Sequence, residues 1–446
     1  MFKTFANALK IKDIRTKLLY TFLCLIIVRI GCMLPVPGIN RTYFANWLSN
    51  VTQGGGLGFL DVLTGGSFSQ MSIFALNISP YITSSIIMQL LTIAIPKLEE
   101  MQKDGETGRK KIAEITRYVT IGLAIFESVA MGIGFKNSNV LESGNAWLHI
   151  AVITVSFTAG SAFLMWLGEQ ITEKGIGNGI SVILLINIVD TLPGDYTGLY
   201  EQFVKGQSVA KAVIAAVVIV AVTIALVVLI ILLQDAQRRV SVQYAKKMQG
   251  RRMVGGQSSF IPLRINTAGV IPVIFAVSLL QTPIIISSLF GVTGSPTGNV
   301  WEKILMYLNQ RNWCRFTTEG YGIYTLGLIL YVAMLFFFAY FYTGITFNPA
   351  EVSNNLKKQG GFIPGIRPGR PTNDYLSKVL NYVILIGAAG LTIVAVIPIF
   401  FTGMFNASVS FGGTSIIIVV GVILEMIQQV ETMMRERHYK GFLSED

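Results

Sequence analysis

The sequence predicts an all-α integral membrane protein of ten transmembrane helices in two five-helix halves, and three observations predict it. First, the chain is poor in charge: Asp, Glu, Lys and Arg make up 13% of its 446 residues, apolar residues make up 52%, and the mean hydropathy is +0.59. Soluble proteins carry about 25% charged residues, so this chain cannot cover a water-facing surface and needs lipid as its solvent. Second, apolar runs recur ten times, most of them long enough for hydrocarbon, which takes about 20 residues at about 1.5 Å each. Third, the net charge of +11 is sorted by connection: 27 Lys and Arg fall on alternate connections and the termini, and 7 on the others.

Span 1 covers residues 18–34 and follows a basic stretch holding Lys3, Lys10, Lys12, Arg15 and Lys17. That pattern resembles a signal sequence, but Pro35-Val36-Pro37-Gly38 follows it instead of a small-residue cleavage site. It reads as a retained first helix with its N-terminus in the cytoplasm. Spans 2, 3 and 4 cover 70–95, 116–135 and 147–168. Span 5, 178–191, is short and follows Gly175-Ile176-Gly177-Asn178-Gly179, a combination that suits the protein interior better than lipid. Spans 6, 7 and 8 cover 209–233, 267–290 and 322–346. One uncharged run, Val379 to Leu424, divides at Pro398 and the loop from Gly403 to Gly413 into span 9 (377–400) and span 10 (412–432). The charge sorting places both termini in the cytoplasm. It gives an N-terminal half 1–192, an external hinge loop 193–208 and a C-terminal half 209–446. Five spans reverse orientation, so if the halves are repeats they are inverted. Spans 2 and 7 then correspond, each with an asparagine and a proline near its start: Asn77 and Pro80, Asn266 and Pro272.

Little in the chain suggests catalysis. There is no Gly-x-x-x-x-Gly-Lys-Ser/Thr phosphate loop. Cys24, Cys32 and Cys314 match no metal or redox spacing, and His149 and His438 lack the neighbours of a metal site. No cofactor is expected. Arg29, Glu127, Glu425 and Glu431 fall within spans. They read as end-snorkelling residues or a buried pair such as Arg29 with Glu127, because no carboxylates are spaced as a proton relay. Residues 54–69 are Gly-bounded, moderately apolar and too short to span. They fit either a re-entrant element or a loosely packed external loop. Two cytoplasmic loops, 234–265 and 347–376, are longer than topology needs and strongly basic. They read as topology signals, as lipid-attracting surfaces, or as docking sites for an acidic or nucleic-acid partner.

Several stretches together resemble the SecY family, the central pore subunits of the bacterial protein translocation channel, over essentially the whole chain. They are Ser72–Leu76, Pro80-Tyr81-Ile82, Ile86–Leu91, Gly175–Ser181, Gln249–Arg252, Ala268–Pro272, Gly361–Gly369 and Gly412–Ser415. The resemblance implies an hourglass of two inverted halves whose waist is a ring of apolar side chains: Ile78, Ile82, Leu184, Ile274 and Ile418, with Ile86 and Ile180 on neighbouring turns. Leu184 departs mildly from a ring that is mostly isoleucine in the family. Such a ring excludes ions by dewetting yet yields around a peptide. The resemblance also implies a plug including Leu57, Phe59, Leu60, Val62 and Leu63, and a lateral gate between spans 2 and 7 with polar Gln89 and Asn266. Asn77 stands where the family leads one to expect glycine. Arg251, Arg252, Lys357, Lys358, Arg367 and Arg370 would dock the motor ATPase SecA or the ribosome. SecE and SecG would complete the complex in the inner membrane, and signal sequences, unfolded polypeptides and lipids would be its clients.

Two other classes are weaker fits. A solute transporter needs polar or charged ligands at the midplane, and a membrane enzyme needs a convergent catalytic set. Ser84, Ser85 and Ser181 have no histidine partner nearby in sequence.

Overall fold

A computed structural model describes residues 10–441, save for 41–42, 45–47, 49–63, 138–139, 143, 206–208, 245–246, 250–251, 255–257, 290–291, 293–298, 315–324 and 406–412. In the first half, α1 (Lys12–Met33), α2 (Ser79–Ala94), α3 (Pro96–Lys103), α4 (Glu106–Asn137), α5 (Ala146–Lys174) and α6 (Gly179–Phe203) follow one another. The second half holds α7 (Val209–Asp235), α8 (Ile271–Leu289), α9 (Val300–Leu308), α10 (Leu326–Thr346), α11 (Pro349–Lys358), α12 (Arg370–Phe405) and α13 (Gly413–Gly441). Among the described residues eight helices are long and apolar enough to cross a membrane. The shorter apolar α8 and the pair α2 and α3, bent by 105°, bring the number to ten. The bend has a local cause: Ile95 precedes Pro96, and proline drives the residue before it out of the helical region, here to φ −112° and ψ 111°.

Several boundaries differ from the sequence reading, most of them because the helices run longer than expected. The helix of span 2 begins at Ser79 instead of residue 70, because residues 64–78 form consecutive tight turns. Met71 and Asn77 sit there at φ +49° and +50°. Asparagine is the side chain that best tolerates this left-handed region after glycine, which accounts for Asn77 at a glycine-like position. Span 3 lengthens to Glu106–Asn137. Span 5 is not short: α6 has 25 residues and passes through Pro193, so the expected external loop 193–208 is helical as far as Phe203. Pro398 does not end span 9 either, since α12 continues through it to Phe405.

The two basic loops depart from the all-α expectation. Strands β1 (Gln237–Tyr244), β4 (Ser258–Arg264) and β5 (Gly361–Phe362) form one sheet in the order β4-β1-β5, and β2 (Lys247–Gln249) pairs with β3 (Arg252–Val254). Along β1 the buried Val240 and Val242 alternate with the exposed Arg239 and Ser241, the period of a half-covered strand. Val240 and Val242 pack with Leu263, Leu356, Ile363 and Leu376, which welds both loops to the start of α12. Inside the bundle a large apolar cluster draws on α1, α2, α5, α6, α7, α8, α10, α12 and α13. A second, around Phe44, Phe68, Phe135 and Phe157, anchors the irregular segment before α2.

The left-handed turn before α2 predicts a substitution pattern. N77V should destabilise the folded chain by about 1–2 kcal/mol, whereas N77G should melt close to the parent. Thermal unfolding of the purified protein in detergent measures both.

Candidate functional site

Helix α2 starts beside Pro80 because proline, which has no N–H to donate, suits the first turn, and this sets the phase of the isoleucines that follow. Ile78, Ile82 and Ile86 recur at i, i+4 and i+8 on one face, with exposures of 1%, 9% and 5%. Leu184 on α6 and Ile418 on α13 are each 3% exposed. Ile274 on α8 and Ile180 on α6 are half-buried against the same cluster. The five expected ring residues, drawn from both halves of the chain, thus share one apolar core.

Helix α6 also carries a ladder onward from Leu184. Asn187 lies one turn on and Asp190 one turn further, steps of about 4.5 Å each at about 1.5 Å per residue. Gly65 packs on this ladder. Its φ is +63°, and a Cβ there would lie 2.9 Å from both Arg29 Nη1 and Asn187 Cα, so only glycine fits. Arg29 on α1 donates through Nη1 to the Gly65 carbonyl at 3.3 Å and forms an ion pair through Nη2 with Asp190. Arg29 therefore pairs with Asp190 and not with Glu127, the partner offered as an example in one of the two sequence readings. A partner on α6 takes the charge, a choice sequence separation alone could not reveal. Thr64, Ser67, Phe68 and Met71 are at most 1% exposed. Ser67 Oγ lies 2.7 Å from the Thr64 carbonyl and 3.1 Å from that of Phe74. This portion of the 54–69 segment is tightly built, not a loose loop. Leu57, Phe59, Leu60, Val62 and Leu63, with Asp61, lie outside the described residues.

Polar groups border the apolar centre. Gln89 Nε2 donates to Ser85 Oγ at 3.4 Å, while Gln89 Oε1 and Asn266 Nδ2 are buried without a hydrogen bond among the described residues. The same holds for both amide atoms of Asn187 and for Gln281 Oε1. Sequence reasoning missed Asn187 and Gln281; the available signal was a single amide inside an otherwise apolar run of spans 5 and 7. Helix α8 packs against α4 and α10, and α2 against α4, so elements of the two halves meet along one seam.

At the basic end, the turns around Gly360, Gly365 and Gly369 use φ of +72°, +81° and +104°. Ser353 Oγ donates to the Gly369 carbonyl at 2.9 Å and Thr372 Oγ1 to that of Arg367 at 2.8 Å. This framing holds Lys357, Lys358, Arg367 and Arg370 in the open. The backbone of Arg252 opens β3, and Arg251 lies outside the described residues. A further cation, Arg239, lies 4.8 Å over the Phe260 ring.

The SecY family model matches residues 72–427. The protein translocase subunit SecY of Thermotoga maritima is 40% identical, with 99% of this chain and 98% of the relative covered. That of Bacillus subtilis is 41% identical, covering 99% and 100%. Among solved structures, "The structure of a protein conducting channel" superposes with a TM-score of 0.63 at 18% identity, over 95% of this chain and 93% of that one. "Sec61 in the Canine ribosome-channel complex from the endoplasmic reticulum" gives 0.60 at 17%, over the same shares. At those identities the superpositions speak for the fold, and the near-full-length relatives carry the assignment: this chain belongs to the SecY family.

Proposed function

We propose that the chain is the protein-conducting pore of a bacterial translocase, with Ile78, Ile82, Leu184, Ile274 and Ile418 as the constriction. It passes unfolded secretory polypeptides across the inner membrane and releases transmembrane segments sideways into lipid. The observation that carries this reading is the meeting of these five side chains, from α2, α6, α8 and α13 and their caps, in one apolar core. A narrow apolar waist dewets and so blocks ions, while apolar side chains can move aside for a peptide without losing specific bonds. Ile86 and Ile180 line the adjacent turns. Residues 64–67, seated outward of Leu184, form the stem of a plug whose apolar face is Leu57, Phe59, Leu60, Val62 and Leu63.

The seam between α2 and α8 serves as the lateral gate. An amide buried without a partner costs about 1–3 kcal/mol, so Gln89, Asn187, Asn266 and Gln281 suit a route along which polar backbone passes. SecE and SecG complete the complex, both termini face the cytoplasm, and the exposed Lys357, Lys358, Arg367 and Arg370 with Arg251 and Arg252 dock a motor ATPase of the SecA type or the ribosome. Arginine suits RNA phosphate because its guanidinium bonds two oxygens at once.

A photoreactive residue at Ile82 or Ile274, presented with a stalled secretory polypeptide, should yield adducts that a residue at the lipid-facing Ile393 does not. Absence of adducts in a complex shown to be translocating would refute the pore assignment. The stem makes a second prediction: R29Q and D190N should raise the resting conductance in planar bilayers by up to about fivefold, the effect of ~1 kcal/mol for a part-exposed ion pair. The reversed pair R29D with D190R should bring it back down. For docking, R367A should flatten the dependence of log affinity on log salt for the ribosome by about 0.7–0.9, one lost phosphate contact.

A further inference from the structure

Asn187 on α6 is 0% exposed, and among the described residues neither its Oδ1 nor its Nδ2 makes a hydrogen bond. A buried amide orphaned at both atoms is costly, so its place in the fold calls for a reason. What lies against it is Gly65. A Cβ at Gly65 would sit 2.9 Å from Asn187 Cα, 3.0 Å from Asn187 Cβ and 2.9 Å from Arg29 Nη1. The Gly65 backbone therefore stands against both the Arg29 guanidinium and the Asn187 side chain.

Three features make this contact exchangeable. Arg29 Nη1 donates to the Gly65 carbonyl at 3.3 Å, beyond the usual span of about 2.7–3.2 Å. Through Nη2 the same guanidinium is held by Asp190, so it stays tethered to α6 whatever Gly65 does. Arg29 Nη1 and Asn187 Cβ each lie close to the same point, which puts them within about 6 Å of each other. An asparagine amide oxygen stands about 2.4 Å beyond its Cβ, so with Gly65 gone the remaining gap is close to one hydrogen bond. Asn187 and Asp190 are one turn apart on one helix face, and the donors of an arginine fork can serve both at once.

We propose that Asn187 is the second partner of Arg29, engaged when residues 64–67 withdraw. The N–H that Gly65 releases passes to Asn187 Oδ1, while Nη2 keeps Asp190. The inference rests on the pore reading above and adds a positioning residue to it. With the stem seated, the Asn187 amide is orphaned, which disfavours that state. With the stem withdrawn, the amide is paired and no Arg29 donor is left bare. A group that bonds in one state and not in the other shifts the population toward the first, so Asn187 favours opening. A side chain that braced the seated stem would bond to it, and Asn187 makes no such bond.

The test measures the conductance of the complete complex in planar bilayers, before and after a stalled secretory polypeptide is added. N187L keeps a branched side chain and removes its polar atoms. Its resting conductance should stay at or below that of the parent, because the seated state loses only an orphaned amide. The rise on adding polypeptide should fall about tenfold, the ratio one hydrogen bond to a charged group supplies. N187A, which cannot overpack, should give the same pattern, and both variants should melt with the parent in detergent. In an R29A background N187L should change the rise by less than about twofold, since the partner is gone. A higher resting conductance in both variants would overturn the proposal and make Asn187 a brace of the seated stem. An undiminished rise, or an equal loss with and without Arg29, would overturn it as well. A parent complex that does not respond to the polypeptide would remove the pore reading itself, and the inference with it.

Discussion

Inside a bilayer every backbone polar group must find a partner within the protein, because hydrocarbon offers none. This chain breaks its helices at several places, and the rest of the structure is arranged to wrap those breaks. Residues 64–78 turn repeatedly, and their side chains and carbonyls are enclosed by α1, α5 and α6. Gly160 on α5 lets the Ile73 carbonyl approach so closely that a Cβ would sit 2.2 Å from it. At 175–178, the Ile176 amide donates to Thr21 Oγ1 at 3.1 Å and the Gly177 amide to Gln429 Oε1, so α1 and α13 close that gap. At 265–270, Gly387 on α12 makes room for the Ile265 carbonyl. Irregular backbone is thereby kept off the lipid.

The same wrapping gives the centre its polarity pattern. A break in a helix lets an apolar side chain such as Ile78, the cap of α2, point inward from a position a continuous helix would have occupied differently. It also brings Gly65 onto the α6 ladder between Asn187 and Asp190. The result is an apolar layer at Leu184, an amide one turn further along α6 and a charge pair one turn beyond that. The proposed constriction would gate by dewetting, which needs an apolar layer uninterrupted by polar groups. The neighbouring polar layers are compatible with it because they sit on the next turns, not within it.

Much of this was legible in the sequence, for physical reasons that can be named. Lipid as solvent forces long apolar runs, and charge sorting fixes their number, so ten spans could be counted from charge-to-apolar boundaries such as Lys17–Leu18 and Lys378–Val379. The i, i+4, i+8 spacing of Ile78, Ile82 and Ile86 put them on one face, and that face is buried. What sequence could not supply was the outcome of competition between local preference and tertiary packing. Pro193 and Pro398 are breakers by local rule, yet α6 and α12 run through them, because in a bundle neighbouring groups can satisfy the freed carbonyls. The short span 2 failed the other way: its apolar composition continues to residue 70, but Pro80 and the left-handed Asn77 stop the helix. Arg29 found Asp190, 161 positions away, and nothing in a one-dimensional pattern distinguishes that carboxylate from Glu127.

The sheet built from the two basic loops was the largest element that sequence left as loop, and its topology matters for how the two ends of the molecule communicate. Strand β1 follows α7 with hardly a break: the Ala236 amide donates to the Leu232 carbonyl at 3.0 Å, and its own carbonyl accepts from the Ile265 amide at 2.9 Å. Strand β4 ends at Arg264 and α8 begins at Ile271. Strand β5 then ties the 347–376 loop to β1 through Gln243 with Phe362 and Tyr244 with Gly361. The exposed cations of one loop and the root of α8 therefore belong to one hydrogen-bonded body. Only ten positions separate Arg264 from Ile274 along the chain, and the turn between them is braced by Thr267 Oγ1 donating to the Arg264 carbonyl at 2.6 Å. A partner that grips the sheet is mechanically close to α8, which lies along the seam with α4. Stiff short junctions transmit displacement where a long flexible loop would absorb it.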